Sequence, residues 1–168
     1  KAAAVVAEIE AAGGWASAVA ADIGDPTAIA PLVASALERL GGIDTWCNFA
    51  GADILTGAGA ALSDEAKLGR LLDTDLRGTM LCCWAVADEL TRTQGAIVNM
   101  SWDLALRGMG GRNPEMFAAV KAGVTGFTRA LARSLAPRVR VNEVAPGWIE
   151  TAFAADDMRE DYRHAVEA

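Results

Sequence analysis

The sequence predicts an α/β fold, a Rossmann-like, doubly wound parallel sheet. Short apolar runs alternate with segments of helical periodicity along all 168 residues. The runs are near-continuously apolar, as strands buried on both faces are. Glycine and polar residues gather at the ends of those runs, where open α/β sheets bind ligands. A composition of 52% hydrophobic and 22% charged residues is that of a packed globular chain.

Residues 1–10 read as the middle of an amphipathic helix, stopped at Gly13-Gly14. Residues 15–21 read as a short strand ending in the turn Asp22-Ile23-Gly24-Asp25. Asp25 is the expected N-cap of a second helix with Pro26 in its first turn. Ile29, Leu32, Val33, Ala36, Leu37 and Leu40 recur at helical spacing up to Gly41-Gly42. Residues 43–48 form an apolar strand, a Gly- and Ala-rich loop runs to about Ser63, and one long helix is expected over 64–90. A strand over 95–100, a Gly-rich segment over 101–114, a helix over 115–135 and a last strand over 139–144, closed by Ala145-Pro146-Gly147, complete the pattern.

A net charge of −7 argues against nucleic acid and anionic membranes as partners. The longest apolar run, 80–87, is far shorter than the roughly 20 residues of a membrane helix. Cys47, Cys82 and Cys83 have no metal-ligand spacing and fit buried thiols of a cytoplasmic protein. Trp46, Trp84 and Cys47 read as packing, Met100, Met109 and Met116 as gap-fillers beside a pocket, and His164 as a surface residue in a charged tail. No metal site is expected. The opening in mid-helix, without cap or start Met, is that of a fragment.

Several motifs in order carry a resemblance. They are Ala21-Asp22 after a strand, Asn48-Phe49-Ala50-Gly51, Asp75-Leu76-Arg77-Gly78, Ile97-Val98-Asn99-Met100-Ser101, Phe117-Ala118-Ala119-Val120-Lys121, and Val139-Arg140-Val141-Asn142 before Pro146-Gly147. Together they resemble the short-chain dehydrogenase/reductase superfamily over nearly the whole chain. The resemblance implies a partial NAD(P)-binding domain over 1–168. At least one βαβ unit with a Gly-rich pyrophosphate turn would precede it, and a substrate-covering segment would follow it. It further implies that Asp22 meets the adenine, that Ile23 is cofactor-binding, that Asn48, Ala50 and Gly51 let backbone approach the adenosine ribose, and that Pro146, Gly147, Ile149 and Thr151 lie along the nicotinamide of NAD or NADP. Taken alone, Asp22 also reads as a partner to the Asp25 cap, and Pro146-Gly147 as a plain turn.

The family's chemistry uses a Tyr acid/base, a Lys one turn later, a carbonyl-polarising Ser and an Asn that organises a relay water. Here Phe117 stands at the Tyr position, Trp102 at the Ser position with Ser101 one residue earlier, and Asp75 at the Asn position. Lys121 keeps its place. It can bind ribose hydroxyls, pair with Asp75, or be purely structural. Asp103 and Glu115 offer replacement acids or are solvated loop carboxylates, and Trp102 could equally fill the emptied pocket. The resemblance therefore implies either an NAD(P)-dependent oxidoreductase with a rebuilt site or a catalytically inactive scaffold or partner subunit. Ala87, Leu90, Val124, Phe127 and Leu131 supply apolar helix surface for a homodimer or homotetramer, or for pairing with an active relative.

Overall fold

A computed structural model describes residues 1–111, 113–147 and 149. Helix α1 (Ala2–Ala11) buries no residue, and Gly13 ends it with a φ of 83° that glycine adopts freely. Residues 15–21, expected as a strand, run without regular structure. Their residue types suit a strand, but a strand is completed by ladder hydrogen bonds, and no described strand lies beside them. Helix α2 (Pro26–Leu40) is capped as its sequence requires. The Asp25 carboxylate accepts from the Thr27 hydroxyl and backbone N–H, both at 2.8 Å, and these bonds hold its pKa below the ordinary value. Gly41 closes the helix in the left-handed conformation.

Strands β1 (Thr45–Asn48), β2 (Ala96–Met100) and β3 (Arg140–Val144) form a parallel sheet in that order, with Trp46, Ile97 and Val141 side by side. Between β1 and β2 the chain makes the short helix α3 (Gly57–Ala60), then α4 (Asp64–Leu71), a π-helical stretch (Leu72–Gly78) and α5 (Thr79–Thr93). The single helix expected over 64–90 is thus divided by wide turns, a feature common at functional sites. The division leaves little mark on the apolar periodicity, because it shifts the phase of the helix without interrupting it. Helix α6 (Pro114–Leu135) connects β2 to β3.

Val33 of α2, Val86 and Leu90 of α5, and Leu131 of α6 close on Ile97 and Val141 from one side of the sheet. Burying each such side chain contributes about 1.5–3 kcal/mol. On the opposite side Thr45, Cys47 and Asn142 are exposed. The expectation of two covered faces is therefore met on one face only among the described residues. The core also absorbs Leu90, Val124 and Leu131, which were expected on an outer helix face. With Cys83, Val86 and Leu90 pointing inward, helical geometry turns Trp84 out. Trp84 is 57% exposed rather than packed, and meets Phe127 of α6 edge-on with ring centroids 5.9 Å apart. Cys47 is exposed as well, whereas Cys82 and Cys83 are buried.

A polar ladder crosses this apolar core. Asn48 Nδ2 donates to Asn99 Oδ1 at 2.8 Å and to Cys83 Sγ at 3.2 Å, and Asn99 Nδ2 donates to Thr128 Oγ1 at 2.9 Å. Burial pushes the Cys83 thiol up to about 12, so it stays neutral beside the amides. The ladder pins the ends of β1 and β2 to α5 and α6. No helix among the described residues is long and apolar enough to cross a membrane. Asn99→Ala should cost about 1–3 kcal/mol by stranding buried partners. A urea midpoint that falls with an unchanged slope is the measurement that checks this.

Candidate active site

The carboxyl ends of β1, β2 and β3 and the start of α6 converge on one cleft of about 350 Å³. At its floor stands Lys121. Helix α6 carries Phe117 and Lys121 one turn apart, so both side chains reach the same face. Lys121 Nζ lies 2.9 Å from Asp75 Oδ2, with the two side chains only 6% and 1% exposed. The same nitrogen donates to the Met100 carbonyl at 3.2 Å and sits 5.4 Å from the centre of the Phe117 ring. The other Asp75 oxygen accepts from Ala52 N at 2.8 Å. Of the readings open for Lys121, the structure realises the pair with Asp75, and an ammonium with three donors keeps one free for a ligand.

Phe117 presents a hydrocarbon ring to the cleft. Trp102 meets it edge-on at 5.2 Å, so the two rings form an aromatic wall. Ser101, one residue earlier, turns the other way. Its hydroxyl is 2.8 Å from Thr125 Oγ1 and donates to the Lys121 carbonyl at 3.1 Å, so it is engaged inside α6 although the residue borders the cleft. Asp103 is exposed at the rim. Its N–H donates to the Pro146 carbonyl at 3.3 Å, and its carboxylate lies so close to Gly147 that a Cβ there would stand 3.1 Å away. Glu115 is exposed in the first turn of α6.

The remaining predicted residues fall along the strand ends. Asp22 is exposed; its Oδ1 accepts from Gly24 N at 2.9 Å in a local turn, and its carbonyl accepts from Asp25 N at 3.1 Å, so it meets the Asp25 cap through its backbone. Ile23 is half-buried beside Gly78. Asn48 commits its side chain to the buried ladder, while Ala50 and Gly51 are exposed. Gly51 lies against Asp75, where a Cβ would stand 3.1 Å from Oδ2. Pro146 and Gly147 border the cleft and Ile149 is exposed. Thr151 lies outside the described residues.

A dinucleotide fits what is present. There is an exposed carboxylate at Asp22, an exposed Ala50-Gly51, and a remaining Lys121 donor at the cleft floor.

Other contributors were missed in the sequence: most act through backbone or through a distant partner, and Asp53 acts through a short local turn. The Met100 carbonyl and the Ala52 N–H hold the ion pair. Asn113, in left-handed conformation at the start of α6, accepts from Lys67 Nζ at 3.1 Å and donates to Asp64 Oδ1 at 3.0 Å, fastening the cleft mouth to α4. Asp53 caps its own loop through Thr56 and the Leu55 and Thr56 N–H groups. Those bonds, the Thr56 hydroxyl foremost, hold its pKa below the usual carboxylate value.

A family model described as enoyl-(acyl carrier protein) reductase matches residues 1–168. The short-chain reductase protein NovJ of Streptomyces niveus is 37% identical over 94% of this chain and 58% of its own length. A 3-oxoacyl-[acyl-carrier-protein] reductase of Synechocystis is 38% identical over 88% of this chain and 59% of its own. Among solved structures, a short-chain dehydrogenase from Burkholderia cenocepacia in complex with NADP superposes with a TM-score of 0.77 at 34% identity, over 91% of this chain and 64% of that one. The chain thus spans about three-fifths of the length of these relatives.

Lys121→Met leaves the buried Asp75 carboxylate without its counter-ion and should cost about 3–5 kcal/mol. Adding Asp75→Leu to it should restore most of that loss. Denaturant midpoints of the single and double variants check both steps.

Proposed function

Because the chain belongs to the short-chain dehydrogenase/reductase superfamily, we propose that residues 1–168 form a Rossmann-like NAD(P)-binding domain of an oxidoreductase whose active site no longer uses a hydroxyl acid. One observation carries this reading: Phe117 lies over a Lys121 whose charge is already paired with Asp75. In this reading Asp22 receives the adenine amino group, and Ile23 and Asn48 shape the wall behind the adenosine. Ala50 and Gly51 let backbone approach the ribose, and Pro146, Gly147, Ile149 and Thr151 border the nicotinamide. The NADP complex of the Burkholderia relative supports the choice of cofactor.

Bound NAD(P)H supplies a hydride, and the protein's own residues settle what accompanies it. Lys121 holds a ribose hydroxyl through its remaining N–H. Phe117 and Trp102 exclude water from the cleft but move no proton. A cation beside a phenol lowers the phenol's pKa; beside a phenyl ring it has nothing to activate. Ser101 spends its hydroxyl on α6. Asp103, against Gly147, is the carboxyl best placed to serve as a substitute acid. The contact between Trp102 and Phe117, and the neutralised Lys121, favour a second reading, a catalytically inactive subunit that keeps the fold as a scaffold.

In full-length protein, calorimetry should show NAD or NADP binding, and Asp22→Ala should weaken it by about 1 kcal/mol, the net scale of one hydrogen bond. Absence of binding at millimolar dinucleotide would sink the oxidoreductase reading. Wild-type oxidation of NAD(P)H with a panel of ketones should be slow or absent, since acid/base catalysis is worth about 10²–10⁴-fold. Phe117→Tyr with Trp102→Ser should raise it measurably. Wild-type turnover of about 1–10³ s⁻¹ that Asp103→Asn abolishes would place the acid at Asp103 instead.

The exposed Trp84, with the half-buried Phe127 that it meets and Ala87 one turn on, supports a homo-oligomer through α5 and α6, with an isologous contact. Sedimentation should find a dimer or tetramer, and Trp84→Glu should shift it toward monomer.

A further inference from the structure

The geometry points to an uncharged aromatic or alicyclic small molecule as the occupant of the cleft, and to anionic ligands as the class it rejects. This deepens the functional reading above and rests on the cleft being that site's ligand chamber. The chamber falls in the roughly 300–1,000 Å³ range of small-molecule sites, and Trp102 and Phe117 offer it two rings at a 63° angle against which a third ring packs. Ile54, Leu55, Met109 and Pro146 supply further apolar lining.

The polar groups of the lining decide the rest, because Ser101, Asn113, Asp53 and two of the three Lys121 N–H groups are already engaged inside the protein. Ser101 bonds to Thr125 and to α6, and Asn113 to Lys67 and Asp64. Lys121 is the one cation among the described lining residues, and its charge is cancelled at 2.9 Å by Asp75. The one uncompensated charge among them is the Asp53 carboxylate, which accepts only from uncharged N–H and hydroxyl groups. A carboxylate or phosphate entering the cleft would lose its water, find no free cation among the described lining residues, and face the negative charge of Asp53. A neutral ring loses little water and gains the apolar lining.

Calorimetry on full-length protein with two matched bicyclic probes tests this. 2-Tetralone, a neutral ketone, should bind at least tenfold more tightly than 2-naphthoate. Asp75→Asn, which frees the Lys121 charge while keeping an acceptor for Ala52 N, should strengthen 2-naphthoate binding about tenfold or more. Phe117→Leu, which removes the ring at similar volume, should weaken 2-tetralone binding severalfold, and circular dichroism of each variant establishes that it is folded. Equal or tighter binding of 2-naphthoate by wild type, or no binding of 2-tetralone, overturns the proposal. A parallel titration with NAD and NADP keeps the two readings separate, since loss of dinucleotide binding overturns the cofactor assignment while the preference between probes stands or falls by itself.

Discussion

The pair between Lys121 and Asp75 is the contact on which the rest of the site depends. Two opposite charges withdrawn from water are expensive, and their attraction offsets that cost only when the remaining donors and acceptors are also satisfied. Here Met100 O accepts a second Lys121 N–H and Ala52 N serves the other Asp75 oxygen, which leaves one Lys121 N–H over. The consequence is geometric: the end of β2, the loop after β1, the π-helical stretch and α6 all meet at two side chains. Moving any one of them breaks a buried bond, so the floor of the cleft is fixed from four directions.

In the proposed reading that arrangement also separates binding from chemistry. A lysine in such a site ordinarily has two tasks, to orient a cofactor and to tune an acid. On that reading the aspartate leaves the first open through one N–H, and Phe117 leaves the second without an acid to tune. The Asn48–Asn99–Thr128 ladder beneath is untouched by these changes. The strand ends that border the cleft are therefore held by a polar frame separate from Phe117, Trp102 and Asp75.

Much of this was legible in the sequence. Asp25, Pro26 and Gly41 delimit α2 by local chemistry, and the apolar runs located β1, β2 and β3. The strand expected at 15–21 was not found, because strand residues need a neighbour that periodicity does not supply. The inward turn of Leu90, Val124 and Leu131 and the outward turn of Trp84 depend on helical phase against the sheet, which an all-apolar stretch such as Met80-Leu81-Cys82-Cys83-Trp84 conceals. The substituted positions Phe117, Trp102 and Asp75 were visible as departures from a motif. Their conversion into an aromatic wall and a buried ion pair was not, since neither the contact between Trp102 and Phe117 nor the Met100 carbonyl has any signature in one dimension.

The π-helical stretch has a consequence for how core and cleft share one segment of chain. In an α-helix each residue turns the direction of the side chains by about 100°, so a continuous helix would lock the orientation of α5 to that of α4. The wide turns at Leu72–Gly78 take up an extra residue and release that lock. Helix α4 then follows the cleft, where Leu71 packs with Ile54 and Val120, while α5 follows the sheet through Val86 and Leu90. Asp75 sits at the joint between the two. The stretch acts as a phase shifter, through which substitutions at the ligand chamber can re-aim one half of the segment without rotating the other half out of the core.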